Sequence, residues 1–549
     1  TQSPSPPAPP LPYSPTPPLP HSQSPSNNNG HKPTPINQGP APGLKIGKAI
    51  DTSLNPTQQA ALSDIIDRYV ARTITSKRQA QEHRRYLADP RTVSGFTPLL
   101  KEMVYPIVTD RAQGARLWDE DGNEYIDLTN GFGLNFFGWS PDFVTNALKT
   151  QLDKGMAIGP QTPLAGRVAK KIAQFTGMER VAFCNTGSEA VMAALRIART
   201  VTGRDRVVIF AGSYHGTFDE VLFRAAPDLK TLPSAPGVMA SALTNILVLD
   251  YDNPRSLEII REYADDIAAV IVEPVQSRHP NLQPQAFLRS LRTLTEQLDI
   301  ALIIDEVITG FRVAPGGAQA YFGVKADIAT YGKVVGGGMP IGILTGTAKY
   351  MDALDGGFWQ FGDRSMPEVG VTFFAGTFVR HPLALAAVEA ILTQLEAGGA
   401  KLHQTLDRQV TYLVQQLAQH CEAVGLPLNI EHFSSFFYLT FPPSESYSSL
   451  LFYLLREKGI HIWENRPCFL TLAHNDADIE QILWAFKVCI AELQSGGFLS
   501  SSGNAIAINH NLPPRPGARL GKDQAGNPAW FITDPDRGTY LQIDTLPNT

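Results

Sequence analysis

The sequence predicts an α/β fold with a large domain, built on a mostly parallel sheet, and a smaller α+β C-terminal domain. Two observations lead to this prediction. From about residue 100 onward, short runs that are apolar throughout alternate with amphipathic helical patterns, which is typical of a largely parallel sheet covered on both faces. Farther along, helical patterns at 383–425 and 446–493 surround one apolar stretch, FFYLTF (436–441). At 549 residues the chain is long enough for roughly two or three domains.

The elements of the large domain follow one another in a strand–helix order. The predicted strands are RVVIF (206–210), NILVLD (245–250), AAVIVEP (268–274), ALIID (301–305) and IGILTG (341–346). The predicted helices between them are 188–200, 254–265 and 284–298. Ligands of such sheets bind at the carboxyl ends of the strands, so candidate functional residues are sought there.

The boundaries follow from changes in composition and pattern. A helical pattern covers 55–88, and the apolar residues of one of its faces are Leu62, Ile65, Ile66 and Tyr69. The predicted parts of the chain are a Pro-rich disordered linker (1–50), a helical N-terminal segment (51–90), the large domain with an N-terminal part of the small domain (91–380), the small domain (381–495) and a C-terminal linker (496–549).

The two flanks differ from the rest of the chain in composition. Fifteen of the 43 prolines lie in residues 1–50, which have no apolar periodicity. A semi-rigid spacer is favoured there over a docking ligand for a proline-recognising domain, because no motif repeats. The chain begins with Thr-Gln, and we expect it to be a part of something longer.

Composition and charge exclude several classes of protein. The net charge of −6 argues against a nucleic-acid binder with a basic surface. No apolar run reaches the roughly 18 residues that a membrane-spanning helix needs. The four cysteines make neither a disulfide framework nor a CxxC metal clip. We therefore expect a reducing, cytoplasmic setting, no metal site, and no nucleic-acid or membrane partner.

The first candidate site residues follow the run VAFC (181–184). Thr186, Gly187 and Ser188 precede a helical pattern, and the free N–H groups at the start of a helix, with two hydroxyls beside them, can hold a phosphate. The same residues also suit an ordinary N-cap with Glu189 in the first turn, and on this motif alone the cap is favoured.

Further candidates lie at other strand ends. Tyr214 and His215 lie between glycines after 206–210, where an aromatic ring can lie flat against a planar ligand, although a turn with a packed tyrosine also fits. Glu273 and Asp305 end two apolar strands, and a carboxylate there is costly unless a cation or a hydrogen-bond donor meets it. A structural salt bridge or a cap is the alternative for both acids.

Lys333 is the candidate cation, between a short strand-like run and three glycines that let backbone approach a ligand closely. It is not a Walker A lysine, because that motif needs Gly and Ser/Thr where Asp327 and Val334 stand. A lysine short of water can lose its proton and form an imine, whereas a lone lysine is usually a solvated surface group. A phosphate cradle, a flat aromatic ring, a strand-end Asp and a lysine at one sheet edge are the set that pyridoxal phosphate needs.

Seven motifs in order make the chain resemble a known family over about residues 90–493. They are ARLWDEDGNEYIDLTNGFG (115–133), NTGSEA (185–190), SYHGTFD (213–219), EPVQS (273–277), IIDEVITGFR (303–312), ATYGKVVGGGMPIG (329–342) and TFFAGTFVRHPLALAA (372–387). The chain resembles the class III, fold-type I pyridoxal-phosphate aminotransferases, near glutamate-1-semialdehyde aminomutase. More specifically, it is similar to the aminotransferase domains of hybrid polyketide/nonribosomal-peptide synthases of the microcystin and mycosubtilin type.

The resemblance implies roles for individual residues. Lys333 would bind the cofactor as an imine and move a proton between it and the substrate, Asp305 would pair with the pyridinium nitrogen, and Glu273 would lie near the ring substituents. Tyr214 would stack on the ring. The residues expected at the cofactor are Thr186, Gly187, Ser188, Tyr214, His215, Glu273, Asp305 and Lys333, with Thr186, Gly187 and Ser188 at its phosphate.

The resemblance also implies a homodimer with shared active sites. Gly376 and Thr377 would reach the phosphate bound by the neighbouring subunit, and Phe132 would lie in the substrate pocket. One residue departs from the family: where the aminomutase has a gating glutamate, this chain has Arg466. An arginine can hold a substrate carboxylate with two hydrogen bonds, although a surface position beside Glu464 is equally compatible with the sequence.

The leading functional prediction is a synthase-embedded aminotransferase. It would transfer an amino group from glutamate or glutamine to a β-keto acyl thioester on an acyl carrier protein, giving a β-amino acyl chain, with neighbouring synthase domains as partners. The alternative is an aminomutase that moves an amino group within one small molecule. Racemase and decarboxylase functions stay open. A pseudo-enzyme is disfavoured because Lys333, Asp305 and Tyr214 are all retained. A dinucleotide-binding oxidoreductase is disfavoured because the strand–GxGxxG–helix fingerprint is absent.

Overall fold

A computed structural model describes residues 54–93, 96–227, 229–501, 519–522, 528–533 and 540–543. The helices are α1 (Pro56–Arg72), α2 (Ile74–His83), α3 (Asn130–Gly133), α4 (Asp142–Lys154), α5 (Pro163–Thr176), α6 (Gly187–Thr202), α7 (Pro254–Glu262), α8 (Gln285–Gln297), α9 (Gly317–Phe322), α10 (Ala348–Met351), α11 (Pro382–Gly398), α12 (Ala400–Ala423), α13 (Ser449–Glu457) and α14 (Asp476–Ser495).

The strands belong to five sheets. They are β1 (Thr109–Gln113), β2 (Arg116–Asp119), β3 (Glu124–Asp127), β4 (Arg180–Cys184), β5 (Arg206–Phe210), β6 (Phe223–Ala225), β7 (Thr231–Pro233), β8 (Ile246–Leu249), β9 (Ile267–Val272), β10 (Ala301–Asp305), β11 (Ile328–Tyr331), β12 (Gly342–Gly346), β13 (Asn429–Phe433), β14 (Phe436–Thr440), β15 (Ile460–His461), β16 (Cys468–Phe469), β17 (Arg519–Lys522), β18 (Pro528–Thr533) and β19 (Tyr540–Ile543).

The central sheet has seven strands in the order β4-β12-β11-β10-β9-β5-β8. The pairs from β11 to β8 are parallel, and β12 is antiparallel to both of its neighbours. The prediction of a mostly parallel sheet is therefore confirmed, and all five predicted strands lie in it. A single reversed strand, β12, brings its N-terminal end to the edge where the parallel strands have their carboxyl ends.

The apolar strands pack against two layers. In β5, Val208 and Phe210 belong to one hydrophobic cluster, whereas Val207 and Ile209 belong to the other. Successive side chains of a strand point to opposite faces, so a strand buried on both sides must be apolar at every position. The helix α6 covers one face, and α8 packs on the other. This layering explains why the strands read as unbroken apolar runs.

A second, smaller assembly contains the three-stranded antiparallel sheet β13-β14-β16, with α12 packed on it and α14 packed on α12 and α13. It matches the predicted α+β C-terminal domain. A separate four-stranded sheet joins distant parts of the chain, because β3 pairs in parallel with β15. Residues predicted as the start of the large domain thus pair with residues of the small domain; the domain boundaries themselves stay predictions.

Two predicted helices are interrupted. The 55–88 pattern forms α1 and α2, which meet at Thr73, where the hydroxyl donates to the carbonyl of Tyr69 at 2.7 Å. The 383–425 pattern forms α11 and α12, which meet at Gly399, a residue with φ of 55°. The predicted C-terminal linker contains β17, β18 and β19, paired antiparallel, and the linker prediction did not foresee these strands.

The N-terminal segment packs on the main core of the fold. Three apolar residues of α1, Leu62, Ile65 and Tyr69, are buried in the main core, whereas Ile66 is half-buried. The Pro-rich stretch 1–50 lies outside the described residues. In the described part of the chain, no single helix is long and apolar enough to cross a membrane; α11 and α12 pass that test only as a pair bent by 84°.

Candidate active site

Eight of the predicted site residues meet in one cavity of about 400 Å³ at the carboxyl ends of the parallel strands. Five strand ends contribute to it, those of β4, β5, β9, β10 and β11. The predicted residues that line it are Thr186, Gly187, Ser188, Tyr214, His215, Glu273, Asp305 and Lys333. The turn before β12 closes one side, with Pro340 and Ile341 in the lining.

Lys333 projects from a tight turn that directly follows β11. Gly332 is extended, and Lys333 itself has φ of 47°, in the left-handed region that non-glycine residues rarely adopt. Burial lowers the pKa of the Lys333 amine; the carboxylates of Asp305 and Glu273 oppose this effect, and the Arg312 guanidinium adds to it. A lysine in this setting is neutral over a wider pH range than a surface lysine.

Asp305 is held in one orientation by three donors. The backbone N–H of Val307 and the hydroxyl of Thr330 donate to its Oδ1 at 3.0 and 3.1 Å, and Nδ1 of His215 lies 2.7 Å from Oδ2. Both Asp305 and His215 are buried. Nε2 of His215 has no hydrogen-bond partner among the described residues. A buried polar atom without a partner in a cavity wall indicates that a ligand or water completes the site.

Glu273 is a buried carboxyl group beside Asp305. Burial raises the pKa of Glu273 to about 7, a rise that His215 opposes and the charge of Asp305 reinforces. Its Oε2 accepts a hydrogen bond from the backbone N–H of Tyr214 at 2.8 Å, which fixes the loop that carries the tyrosine. The side chain of Tyr214 lines the cavity while 51% of the residue stays exposed, so one ring face is open to a planar ligand.

At the start of α6, the Thr-Gly-Ser motif is an N-cap and also a candidate phosphate site. The hydroxyl of Thr186 caps the helix by accepting from the N–H of Glu189 at 3.1 Å, and Glu189 in turn accepts from the N–H of Asn185 at 2.7 Å. The first N–H groups of a helix have no acceptor within it, and Gly187 and Ser188 line the cavity, so their N–H groups can serve as anion donors.

Glycines allow the backbone to pack closely around this helix start. A Cβ at Gly342 would lie 2.0 Å from the carbonyl oxygen of Thr186, and one at Gly216 would lie 2.5 Å from Oγ of Ser188. Gly216 also has φ of 119°, which disfavours any side chain. The close approach leaves the helix N-terminus accessible to a phosphate rather than covered by side chains.

These residues fit pyridoxal phosphate. The cavity supplies an amine that can bond to the cofactor's aldehyde, a fixed carboxylate for its ring nitrogen, an aromatic face, and a helix N-terminus for its phosphate. The partnerless Nε2 of buried His215 adds a donor or acceptor that nothing in the described protein satisfies.

Four sequence-predicted residues lie outside this cavity: Phe132, Gly376, Thr377 and Arg466. Phe132 is 41% exposed, with its ring edge-on to Trp463 at a centroid distance of 6.0 Å, and it lines an adjoining groove. Gly376 and Thr377 lie in an exposed segment and do not line this chain's cavity. Contact with the phosphate bound by a neighbouring subunit would require both residues to be exposed, and this contact stays a prediction.

Arg466 is half-buried near the phenol of Tyr438 and is absent from the cavity lining. Glu464, its expected neighbour in the surface alternative, pairs instead with Arg456 at 3.1 Å. The single chain therefore does not bring Arg466 to the reacting atoms. Its role as a carboxylate clamp stays a prediction, which an unchanged apparent donor affinity in Arg466→Ala would refute.

Sequence reasoning missed two residues that shape the site. Thr330 orients Asp305, and Arg312 lies in the same buried region as Lys333 and affects its pKa. Both belong to motifs that carry the family resemblance, but neither stands out by residue type, because a threonine in a strand and an arginine after a loop are ordinary. Only their contacts distinguish them.

Comparison with protein families gives one match: the model described as aminotransferase class III matches residues 100–490. A curated relative, glutamate-1-semialdehyde 2,1-aminomutase of Methanococcus maripaludis, is 33% identical over 438 residues, covering 76% of this chain and 98% of the relative. The enzyme of the same name from Desulfitobacterium hafniense is 36% identical over 399 residues, covering 69% of this chain and 89% of the relative.

Solved structures agree on the fold. The β-phenylalanine aminotransferase of Variovorax paradoxus superposes with a TM-score of 0.68 at 27% identity, covering 81% of this chain and 100% of that one. A glutamate-1-semialdehyde aminomutase of Pseudomonas aeruginosa has a TM-score of 0.67, covers 80% of this chain and 98% of that one, and at 22% identity shows the fold alone. The chain belongs to the class III aminotransferases, enzymes of the fold-type I group that use pyridoxal phosphate.

Proposed function

We propose that Lys333 is the catalytic base of amino-group transfer in this cavity. The observation that carries the proposal is its amine, whose pKa is lowered by burial although the carboxylates of Asp305 and Glu273 lie close enough to act on it. A neutral amine at this point can accept a proton from a substrate carbon and return it elsewhere. The bound cofactor supplies the electron sink for that carbon.

The other residues hold and orient the cofactor in this proposal. Asp305, fixed by Val307, Thr330 and His215, keeps the ring nitrogen protonated, and Tyr214 covers one ring face. The first turn of α6 binds the phosphate. Glu273, with its pKa raised to about 7, exchanges protons near neutral pH and lies where it can assist transfer at the ring substituents.

For the substrate, we propose transfer between two molecules: glutamate or glutamine donates the amino group to a β-keto acyl thioester on an acyl carrier protein. Two observations support the chemistry at the β carbon. The β-phenylalanine aminotransferase, named for a β-amino acid, is covered over 100% of its length. The cavity also adjoins a second groove with room for an acyl chain. The carrier protein and the synthase rest on the motif resemblance and the Pro-rich flank.

The second candidate is an aminomutase that moves an amino group within one small molecule. The names of the curated relatives favour it, at 33% and 36% identity and with most of each relative covered. Judged by the names of the relatives, the comparisons support an aminomutase more strongly than they support a carrier-bound acceptor. The two candidates differ in whether a separate amino donor is required.

The visible absorption spectrum of the purified holoenzyme tests both candidates. In the first, L-glutamate or L-glutamine discharges the band of the lysine-bound cofactor, and a β-keto acyl thioester restores it. In the second, glutamate-1-semialdehyde turns over with no separate donor. A band that no donor and no amino aldehyde discharges contradicts both.

Lys333→Ala serves as the test of the catalytic base. We expect it to lack the lysine-bound band and to transfer amino groups at least about 10²-fold more slowly, since general-base catalysis contributes at least that factor. Lys349→Ala is the matched control, because Lys349 is exposed and paired with Asp299. Equal rates in the two variants would contradict the assignment of Lys333.

A further inference from the structure

A second cavity of about 580 Å³ adjoins the active-site cavity, and Gly131 lines both. We call it the side groove. One wall consists of α2 and residues 84–92, and the other consists of the four-stranded sheet with β15 and Trp463. A groove of this size is typical of a site for a whole organic ligand rather than for water. None of the residues proposed to bind the cofactor lines it.

The lining of the side groove favours an apolar chain. Phe132 and Trp463 meet edge to face beside Gly131, and Leu87 on the opposite wall is 64% exposed. Further apolar lining comes from Pro106, Ile107, Val108, Leu117 and Trp139. Exposed apolar side chains that face one another across a groove gain free energy when a hydrocarbon chain covers them.

Several charged groups of the side groove are already satisfied. His461 pairs with Asp127 at 2.9 Å, and Asp127 also accepts from the indole N–H of Trp139 at 2.9 Å. Arg91 pairs with Asp89 at 3.0 Å and stacks over the ring of Trp463. Each of these groups therefore already has a partner within the protein.

Arg84 is the exception. It lines the side groove at the C-terminal end of α2, is exposed, and forms no ion pair with any residue in the described ranges. An arginine in this position is available to an anion and can hold a carboxylate or a phosphate through two N–H groups.

We propose that the side groove binds the acyl chain of the amino-group acceptor, and that Arg84 binds an anionic group farther along that chain. The inference rests on the proposed function, since it places the keto end of the same molecule at Lys333. The side groove therefore fits a hydrocarbon chain that carries an anionic group. The anion is a carboxylate farther along the acyl chain, because in a β-keto acyl thioester the phosphate of the pantetheine arm lies on the other side of the keto carbon.

Binding of unreactive probes to the holoenzyme tests the side groove independently of catalysis. Titration calorimetry with succinate, suberate and dodecanedioate gives the dependence on chain length. We expect roughly two- to fourfold tighter binding for each added methylene group that the groove covers. Equal affinity for the three acids would overturn the proposal.

A pair of charge reversals tests Arg84. Arg84→Glu should weaken dodecanedioate binding by about tenfold, because an attraction becomes a repulsion. Arg85→Glu is the matched control: Arg85 is the next residue, does not line the groove, and its guanidinium stacks over Tyr86. Equal weakening in both variants, or none in Arg84→Glu, would overturn the role of Arg84.

Further arms identify the source of the anion and separate this inference from the proposed function. Tighter binding of 4′-phosphopantetheine than of pantetheine, lost in Arg84→Glu, would overturn the proposal, because Arg84 would then bind the thioester arm; no difference supports a carboxylate on the acyl chain. Because these probes carry no amino or keto group, their binding does not depend on Lys333. Length-dependent binding with no donor-driven spectral change would leave the side groove in place and refute the proposed amino transfer.

Discussion

At the scale of single residues, Arg312 lies between Lys333, whose pKa it affects, and the loop that carries Phe132. It is fully buried and has no acidic partner among the described residues. Its guanidinium donates to the carbonyls of Gly133 and Asn135, each at 2.6 Å, and lies 4.9 Å from the ring centroid of Phe469. Burial lowers the pKa of Arg312 to about 9, so the protein tolerates a nearly isolated charge there.

Arg312→Met should therefore act on stability and on Lys333 together. The two carbonyls lose their donor, at roughly 1–3 kcal/mol each, and the free energy of unfolding in urea should fall accordingly. Removal of the positive charge should also raise the pKa of Lys333, so the pH profile of cofactor capture by Lys333 should move to higher pH. Arg255→Met, at an exposed position, is the control. A stability loss without a shifted profile would restrict Arg312 to a structural role.

Glu273 makes the fold sensitive to pH. Its folded pKa of about 7 lies above the ordinary value of 4.5, so its contribution to stability is complete below pH 4.5 and is lost as the pH rises through 7. The loss is on the order of 3 kcal/mol, at about 1.4 kcal/mol per pKa unit. Glu273→Gln in the cofactor-free protein should flatten the fall in unfolding free energy between these pH values, whereas Glu262→Gln should not. Parallel curves for all three proteins would contradict the raised pKa.

At the scale of elements, α1 anchors the N-terminal segment to the C-terminal helices. Arg68 pairs with Glu457 of α13 at 3.1 Å and with Glu492 of α14. The next residue, Tyr69, is completely buried, with its ring 5.4 Å from that of Tyr453. Residues that begin the described chain are thus part of the same core as residues near 490, which makes the segment an integral part of the enzyme.

Tyr69→Ala should cost about 3–5 kcal/mol of unfolding free energy, because it removes a large buried aromatic ring and leaves a cavity. Ile74→Ala, at a position that is 52% exposed in α2, should change stability by no more than about 0.5 kcal/mol. Urea denaturation of both variants makes the comparison. A loss below about 1 kcal/mol in Tyr69→Ala would show that α1 can detach without cost to the rest of the fold.

At the scale of the whole molecule, the segment 358–378 presents an apolar surface that a single chain leaves uncovered. Its exposed apolar residues are Phe358, Trp359, Phe361, Met366, Val369, Val371, Phe373 and Phe378. Such a concentration of exposed apolar side chains marks a protein–protein interface. Because Gly376 and Thr377 lie in the same segment, a homodimer would bury this surface and bring both residues toward the partner's cofactor site.

Complementation between two inactive variants tests the shared active site. Lys333→Ala lacks the base, and Thr377→Trp should block the phosphate of the neighbouring subunit. In a heterodimer of the two, one site combines Lys333 with Thr377 and the other has neither. Refolding an equimolar mixture should restore about a quarter of wild-type activity, since half of the dimers then carry one intact site. Absence of recovery in verified heterodimers would contradict the shared site.

Much of the large domain can be predicted from the sequence because the apolar patterns of its strands are local. The predicted strands 206–210 and 301–305 match β5 and β10, and the others differ by one or two residues at their ends. The breaks between α1 and α2 and between α11 and α12 were not predicted, although Gly398-Gly399 marks the second of them. The strands β17–β19 were missed because antiparallel pairing between short segments depends on partners that a composition rich in Pro, Gly and Ser does not indicate.

By itself, the sequence determined the family, the cofactor and the edge of the sheet where the chemistry lies. The family followed from the resemblance carried by the seven ordered motifs, and the edge followed because apolar strands with polar residues at their ends indicate a parallel sheet, whose strand ends converge. Only the tertiary structure decided that His215 and Thr330 hold Asp305, that Arg312 lies near Lys333, that Phe132 faces a separate groove, and that Arg466 stays away from the cavity. These outcomes depend on contacts between residues far apart in the chain, whose distances no local pattern encodes.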